Sequence, residues 1–256
     1  MIKRILACVK LVPAAAEVEM DGQFRLKRDG ANLQLNIADL SAVEAALRMK
    51  SAAPEREVTV LSMGPAKAEQ TLKELFALGV DRVILLSDRT LAGADSLATA
   101  RALAAAARHL GGFDCILCGR RAMDAETGQI PGQLAAALQI PAVTNVQALD
   151  AAMDAILCER RLENGIAQLE VGLPCLLSLC EYVYTLRLPS IMGRRRAKDK
   201  QVDILTATDI GLTSEECGLS GSKTKVIHVD TKAPGLRKCQ YCDTKSLTEK
   251  IREVTG

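Results

Sequence analysis

The chain has 256 residues, 48% of them hydrophobic, so it can fill the core of one large domain. Its 33 basic and 31 acidic side chains nearly cancel, so no global charge favours nucleic acid or a membrane surface as a partner. With 2% aromatic residues and no Trp, the chain is also poor in rings on which single-stranded nucleic acid could stack. These counts predict a globular protein that binds neither nucleic acid nor membranes.

The apolar segments and the cysteines predict a cytoplasmic protein. The first apolar run, Ile5–Val9, is too short for a secretory core, and no later run approaches the roughly 18 residues of a membrane span. Among the nine cysteines, Cys8, Cys175 and Cys180 lie inside apolar, strand-like runs, where free thiols pack as small hydrophobic groups. This usage is typical of a reducing compartment.

Strand-like and helix-like segments alternate over the first 140 residues. Residues 2–9 form an aliphatic run typical of a strand covered on both faces, and Asp39 or Ser41 can cap the helix that follows. Gly79 suits a left-handed helix end. Further strands are predicted at Val58–Ser62, Val83–Leu86 and Cys115–Cys118, and further helices at Ala66–Leu78, Ser96–Leu110 and Gly132–Leu138. This alternation predicts an α/β fold with a doubly wound parallel sheet, which binds ligands at the C-terminal ends of its strands.

Beyond Thr144 the pattern changes. Glu163-Asn164-Gly165 separates two strand-like runs, Ala155–Arg160 and Ile166–Val171, and therefore predicts a hairpin. Pro174 opens another apolar strand, which ends near Cys180. These segments predict an antiparallel extension at the edge of the sheet.

The last part of the chain shows little periodicity. We interpret residues 219–256 as a C-terminal arm that wraps a partner, with a short helix at about Leu247–Val254, and residues 1–218 as the nucleotide-binding or flavin-binding domain.

Histidines and paired cysteines give little support for catalysis by side chains. Neither His109 nor His228 lies near a Ser or Cys in a nucleophile setting, so we expect no catalytic residue. Cys115 and Cys118 are three apart in a strand and point to opposite faces, so they belong to the core. The arm contains Cys239-Gln240-Tyr241-Cys242, which is half of a zinc site; zinc, redox exchange and free thiols remain open there, and we assign no metal.

A polar loop between the fourth predicted strand and the last predicted helix is the strongest candidate site. Its small residues allow the backbone to approach a phosphate, and its N–H groups and the helix N-terminus can stabilise negative charge. The loop has neither a Walker nor a Gly-x-Gly-x-x-Gly pattern, so by itself the segment favours an ordinary polar loop. It comprises Gly119, Arg120, Arg121, Ala122, Met123, Asp124, Ala125, Glu126, Thr127, Gly128, Gln129 and Ile130.

The whole chain resembles the beta subunit of electron transfer flavoproteins. The resemblance rests on the order and spacing of several pieces: Cys8–Pro13, Asn36 before Ala42–Arg48, Ser62–Pro65, Ala77–Asp81 and the loop that begins at Gly119. It implies an adenine-nucleotide alpha hydrolase-like fold and a heterodimer with a larger alpha subunit. It also implies an adenine nucleotide held by Cys8, Asn36, Asp39, Met63 and the loop Gly119–Ile130.

The resemblance leaves two nucleotides open. Housekeeping members hold a structural AMP, whereas electron-bifurcating members hold a complete FAD. The segment Leu86–Thr99 resembles the one that marks the bifurcating group, which favours FAD and adds five candidate residues: Ser87, Asp88, Arg89, Asp95 and Thr99. The plainer interpretation is that Ser87 and Asp95 cap the following helix.

A bifurcating member implies a defined set of partners. NADH would deliver a hydride to the FAD; one electron would pass to ferredoxin or flavodoxin, and the other through the FAD of the alpha subunit to an acyl-CoA dehydrogenase. Leu188, followed by the basic run Gly193–Lys198, matches the anchor of the loop that docks the dehydrogenase. A conventional carrier with AMP and a non-redox adenine-nucleotide-binding regulator are the alternatives.

Three departures from the family pattern affect the predicted site. Asn36-Ile37-Ala38-Asp39 lacks the usual Pro and aromatic residue, Arg121 replaces a common Gln, and Pro131-Gly132 replaces Gly-Pro.

Overall fold

The computed structural model describes residues 1–13, 33–152, 154–227, 243, 246–248 and 251–252. The chain divides into two compact units, Met1–Lys225 and Val226–Gly256. The sheet and the helices that cover it belong to the first unit.

The strands of the first unit are β1 Arg4–Val9, β2 Leu11–Pro13, β3 Leu33–Leu35, β4 Glu57–Met63, β5 Arg82–Leu86, β6 Cys115–Gly119, β7 Ala142–Ala151, β8 Ala155–Leu162, β9 Gly165–Gly172, β10 Cys175–Leu179 and β11 Asp203–Leu205. The helices are α1 Ile37–Ala52, α2 Ala68–Lys73, α3 Ser96–His109, α4 Ile130–Leu138, α5 Ile191–Ala197 and α6 Gly218–Gly221. Two 3₁₀ helices span Glu74–Leu78 and Arg89–Leu91.

Nine strands form one mixed sheet in the order β11-β5-β4-β1-β6-β10-β7-β8-β9. Its neighbours from β11 to β7 pair in parallel, and β8 and β9 are added antiparallel at the β7 edge. β2 and β3 form a separate antiparallel pair. The architecture confirms the predicted α/β fold with an antiparallel extension, including the hairpin around Glu163-Asn164.

Helices cover both faces of the parallel strands. α1 packs on one face and belongs to one buried apolar cluster. The alanine-rich α3 and α4 pack on the other face and share a second cluster. Cys115 belongs to the α1 side and Cys118 to the α3 side, as their spacing in the strand predicts. Gly79 ends its helical turn with φ of 107°, which confirms the predicted left-handed end.

Three predicted elements need correction. α1 begins at Ile37, so Asp39 and Ser41 lie inside the helix and neither caps it. The helix predicted over Ala66–Leu78 is α2 followed by a 3₁₀ turn. The strand after Pro174 is present as β10, but it is inserted in parallel between β6 and β7, because all five of its residues are buried on both faces of the central sheet.

Candidate functional site

The parallel sheet has a crevice where the chain reverses its direction of winding. From β1 the chain continues to β4 and β5 on one side, and then crosses to β6 on the other side of β1. The loops that follow β1 and β6 therefore diverge from the C-terminal ends of these two strands, which is where open α/β sheets bind ligands. The loop Gly119–Ile130 leaves β6 at this point.

Asp39 joins the two strands that border the crevice. Its Oδ2 accepts a hydrogen bond from Lys10 N at 2.7 Å, and its Oδ1 accepts one from Gly119 N at 3.1 Å. Burial raises the pKa of Asp39 to about 7, although these hydrogen bonds oppose the rise. A Cβ atom at position 119 would lie 2.1 Å from Asp39 Oδ1, so only glycine leaves room for this carboxyl group.

Asn36 holds the first half of the loop against α1. Its Nδ2 donates to Arg121 O at 2.9 Å, its Oδ1 accepts from Met123 N at 3.1 Å, and its backbone N donates to Lys10 O at 2.9 Å. Lys10 Nζ adds an ion pair with Asp124 at 2.6 Å. The structure thus brings Asn36, Asp39 and the β6 loop together, as the sequence predicts.

The second half of the loop presents free N–H groups. Across the described ranges, the backbone N–H groups of Thr127, Gly128 and Gln129 donate to no backbone or side-chain acceptor. They precede α4, whose first turn contains Pro131. Gly128 has φ of 62°, a left-handed conformation that glycine adopts without strain. Free N–H groups at a helix N-terminus can donate hydrogen bonds to an anionic ligand such as a phosphate.

The segment Leu86–Thr99 meets this loop through one side-chain contact. Ser96 Oγ donates to Gln129 Oε1 at 2.9 Å, which connects the first residue of α3 to the residue before α4. Thr99 lies one turn into α3, and its backbone N donates to Asp95 O at 3.0 Å. The two predicted segments are therefore in contact through Ser96 and Gln129.

Asp95 and Asp88 have structural roles at the ends of this segment. Asp95 Oδ1 caps α3 by accepting from Ala98 N at 2.8 Å, and its Oδ2 accepts from Thr224 N at 2.9 Å. Burial raises the pKa of Asp95, but these hydrogen bonds outweigh burial, so the pKa is lowered. Asp88 caps the 3₁₀ turn that contains the exposed Arg89, by accepting from Thr90 N at 2.9 Å.

Ser87 does not cap a helix, so that interpretation was wrong. Its backbone N donates to Leu205 O in β11, at 2.9 Å. The backbone of Ser87 thereby continues the sheet, and the capping position falls one residue later, on Asp88.

Cys8 and Met63 belong to the apolar floor on the α3 side. Cys8 on β1 lies opposite Cys118 on β6. The neighbouring Cys8 thiol and burial hold the pKa of Cys118 well above its ordinary value, so the thiol stays neutral. Met63 packs against the same cluster. These side chains supply apolar contact rather than a nucleophile.

A cavity of about 280 Å³ lies beside the loop and is lined by Arg120, Arg121, Gly128, Thr144, Asn145 and Ser178. The sequence prediction includes the first three of these residues and misses the other three. Ser178 Oγ and Arg120 Nε are buried and have no hydrogen-bond partner within the described ranges. Glu181 accepts from both Arg120 and Arg121, each at 3.0 Å. Ser178 could have been found from sequence, because it is a hydroxyl residue inside the apolar run Cys175–Leu179.

A second exposed feature is an apolar tip formed by Leu188, Ile191 and Met192. Their exposed fractions are 89%, 86% and 59%. Ser190 Oγ caps α5 by accepting from Gly193 N at 2.9 Å, and three arginines follow in its last turn. The tip is therefore apolar with a cationic rim, a combination suited to a transient protein contact.

Two further features bear on the predicted partners. No helix within the described ranges is long and apolar enough to cross a membrane. The same ranges contain no group of three or more His, Cys, Asp or Glu side chains placed to hold a metal ion. His228, Cys239 and Cys242 lie outside the described residues.

The sheet, the crevice and the free N–H groups define a doubly wound α/β protein whose β6 loop presents backbone donors at the C-terminal ends of the strands. A model of the electron transfer flavoprotein domain matches residues 23–210. The chain is 39% identical over 252 residues to the electron transfer flavoprotein subunit beta of Thermoanaerobacterium thermosaccharolyticum, covering 98% of this chain and 95% of the relative. This chain belongs to the electron transfer flavoprotein family, as a beta subunit. Beta subunits of the family pair with an alpha subunit.

Two other relatives have different names. The subunit CarD of the caffeyl-CoA reductase-Etf complex of Acetobacterium woodii is 39% identical over 224 residues, covering 87% of this chain and 86% of the relative. The FixA protein of Azorhizobium caulinodans is 35% identical over 248 residues, covering 93% and 88%.

Proposed function

We propose that this chain is the beta subunit of an electron-bifurcating flavoprotein and that its crevice holds FAD. The hydrogen bond between Ser96 and Gln129 carries the proposal. It places the segment Leu86–Thr99, which the resemblance associates with a flavin, directly beside the loop that offers free N–H groups to a phosphate. One extended dinucleotide could therefore contact both segments.

The residues present are suited to this cofactor. Thr127, Gly128 and Gln129 offer N–H groups for the phosphates, and Asn36 and Asp39 hold the loop in place. The buried, unpaired Ser178 Oγ and Arg120 Nε offer further polar contacts beside the loop. The Cys8–Met63 side of the crevice is apolar, as a ring system requires.

The flavin would supply the redox chemistry: it accepts two electrons from NADH, of which one passes to ferredoxin or flavodoxin and one passes, through the alpha-subunit FAD, to an acyl-CoA dehydrogenase. The chain would contribute position and electrostatics. No acid or base is required of it, and the raised pKa of Cys118 is consistent with that role. We further propose that Leu188 anchors the dehydrogenase.

The named relatives support the acyl-CoA side of the proposal. CarD belongs, by its name, to a complex with a caffeyl-CoA reductase. Transfer of that property to this chain predicts a partner enzyme that acts on a CoA thioester. The cytoplasmic location and the partner-wrapping role of residues 219–256 stay predictions.

The flavin content of the intact heterodimer tests the proposal. The alpha and beta subunits would be co-expressed, purified gently and extracted, and FAD and AMP would be counted per heterodimer. Two FAD molecules support bifurcation, whereas one FAD with one AMP identifies the conventional carrier. Retained ATP without a flavoprotein partner identifies the non-redox regulator.

A substitution at the contact between the two segments sharpens this test. Ser96→Ala removes the hydroxyl that donates to Gln129, so we expect a lower FAD content with the heterodimer still assembled. Ser214→Ala, at an exposed position, is the matched control. An unchanged FAD content in Ser96→Ala would remove the observation on which the choice of FAD rests.

A further inference from the structure

We propose that Glu44 is a positioning residue for the apolar tip: it fixes Arg187, and through Arg187 it sets the affinity for the dehydrogenase. The inference rests on the proposed docking role of Leu188. It assigns a partner-binding role to a buried carboxylate of α1 that neither lies at the tip nor lines the crevice described above.

Glu44 binds both the backbone and the side chain of Arg187. Its Oε2 accepts from Arg187 N at 3.1 Å and from Arg187 Nε at 3.0 Å, and its Oε1 accepts from Arg187 Nη2 at 3.1 Å. The Glu44 side chain is 5% exposed. Because the backbone N of Arg187 is held as well as its guanidinium group, the peptide immediately before Leu188 has a fixed position on α1.

The carboxylate of Glu44 is charged and surrounded by two cations. Burial raises its pKa, but hydrogen bonds from Arg187 and from Arg48 outweigh burial, so the pKa of Glu44 is lowered. The Arg48 bond comes from the next turn of α1, at 3.1 Å. A fork of two N–H donors on one carboxylate has a defined geometry that a lysine cannot reproduce.

The residues that lead to Arg187 are attached to the same helix. Ser41 Oγ donates to Tyr184 O at 3.3 Å and lies 3.4 Å from Tyr184 N, which donates to it. The Arg48 guanidinium lies over the Tyr184 ring, 4.7 Å from its centroid. The segment is thus attached to α1 at Tyr184 and at Arg187, and Leu188 follows directly.

This arrangement affects binding because an ordered tip loses less conformational entropy when a partner immobilises it. Leu188 is 89% exposed and has little packing of its own to hold it, so its position depends on the residue before it. Loss of the Glu44–Arg187 contact should weaken binding of the dehydrogenase. The limiting electron-transfer rate and the nucleotide content should remain unchanged.

The experiment uses the intact heterodimer, reduced with dithionite and mixed in a stopped-flow instrument with increasing concentrations of a purified short-chain acyl-CoA dehydrogenase. The half-saturating concentration and the limiting rate are read from flavin reoxidation. For Glu44→Gln we expect the half-saturating concentration to rise about tenfold at an unchanged limiting rate. Arg187→Lys should give a smaller rise, because one ammonium group cannot replace the fork.

Two further variants show whether Glu44 acts through Leu188. In a Leu188→Ala background, Glu44→Gln should cause no additional rise, since the residue that it positions is gone. Lys50→Gln removes another ion pair of α1, with Asp81, and should leave the half-saturating concentration unchanged.

The outcomes separate this inference from the proposed function. If Leu188→Ala has no effect, docking through the tip is wrong and the proposed role of Leu188 fails. If Leu188→Ala raises the half-saturating concentration but neither Glu44→Gln nor Arg187→Lys does, docking stands and the positioning role is overturned. Additive effects of Glu44→Gln and Leu188→Ala, or an equal effect of Lys50→Gln, also overturn it. If Glu44→Gln does not fold, Arg187→Lys decides the question.

Discussion

The carboxyl group of Asp39 occupies the space that a side chain at position 119 would need. Asp39 Oδ1 accepts from Gly119 N at 3.1 Å, and a Cβ on residue 119 would lie 2.1 Å from the same oxygen. This contact joins the first turn of α1 to the end of β6, 80 residues later in the chain. The start of the β6 loop is therefore fixed by a helix on the opposite face of the sheet from α4.

Gly119→Ala should destabilise the protein and release its nucleotide. The added methyl group forces Asp39 and Ala38 to move, and overpacking of this kind costs about 1–3 kcal/mol in the free energy of unfolding. Urea unfolding and nucleotide extraction of the heterodimer measure both effects. Gly172→Ala in β9 is the control, because a Cβ there meets nothing within 4 Å. Normal nucleotide content in Gly119→Ala would contradict the placement of the site.

Asp39→Asn should change how stability depends on pH. Burial raises the pKa of Asp39 from 3.8 to about 7, so the folded chain binds this proton more tightly than the unfolded chain. The resulting stability is fully present below about pH 4 and is lost as the pH rises through about 7. In the wild type, the free energy of unfolding therefore falls by up to about 1.4 kcal/mol per pH unit over this range. Asparagine does not titrate, so the variant should not show this fall.

Thermal unfolding of the heterodimer between pH 5 and pH 8 compares the wild type with Asp39→Asn. Glu44 and Asp95 do not interfere, because their pKa values are lowered from 4.5 and 3.8 and their stabilising effect is lost only at more acidic pH. A difference between the two proteins that stays constant from pH 5 to pH 7 would show that Asp39 is ionised throughout.

Asn36→Ala should weaken nucleotide binding more than it weakens the fold. It removes the two side-chain hydrogen bonds to Arg121 O and Met123 N, each worth about 1 kcal/mol, so the loop is no longer held in one conformation. We expect the nucleotide dissociation constant to rise roughly tenfold, as measured by calorimetry on the stripped heterodimer. Asn164→Ala, in the exposed hairpin turn, should have no effect on binding. Equal affinities would show that the loop is held without Asn36.

Leu188→Ala should slow electron delivery to the dehydrogenase without releasing nucleotide. The side chain is 89% exposed, so its removal should change the free energy of unfolding little. An apolar anchor, in contrast, can contribute about 2 kcal/mol or more to the free energy of binding a partner. Stopped-flow reoxidation and nucleotide extraction measure the two properties. Leu157→Ala, at a 49% exposed position of β8, is the control. Equal loss of electron delivery and nucleotide would mean that the tip is not a docking element.

The prediction of the fold from sequence succeeded where periodicity carries the information. Uninterrupted aliphatic runs gave β1, β4, β5 and β6, and Gly79 correctly marked a helix end. Strand order is not encoded in such patterns, so the insertion of β10 between β6 and β7 was not predicted. The cavity lined by Thr144, Asn145 and Ser178 was missed for that reason, since these residues come together only where β7 and β10 are neighbours. Ser178 alone is marked in the sequence, as a hydroxyl residue in an apolar run.

The amino-acid sequence by itself determined the alternation of strands and helices, the family and the loop that begins at Gly119, because these depend on residue types at short spacing. The tertiary structure alone decided what the polar side chains do. Asp39, which the sequence predicts as a helix cap, instead links the C-terminal ends of β1 and β6. Glu44 pairs with Arg187, which lies 143 residues later in the chain. Such contacts depend on how distant segments pack, and burial then sets the protonation of the groups that they bring together.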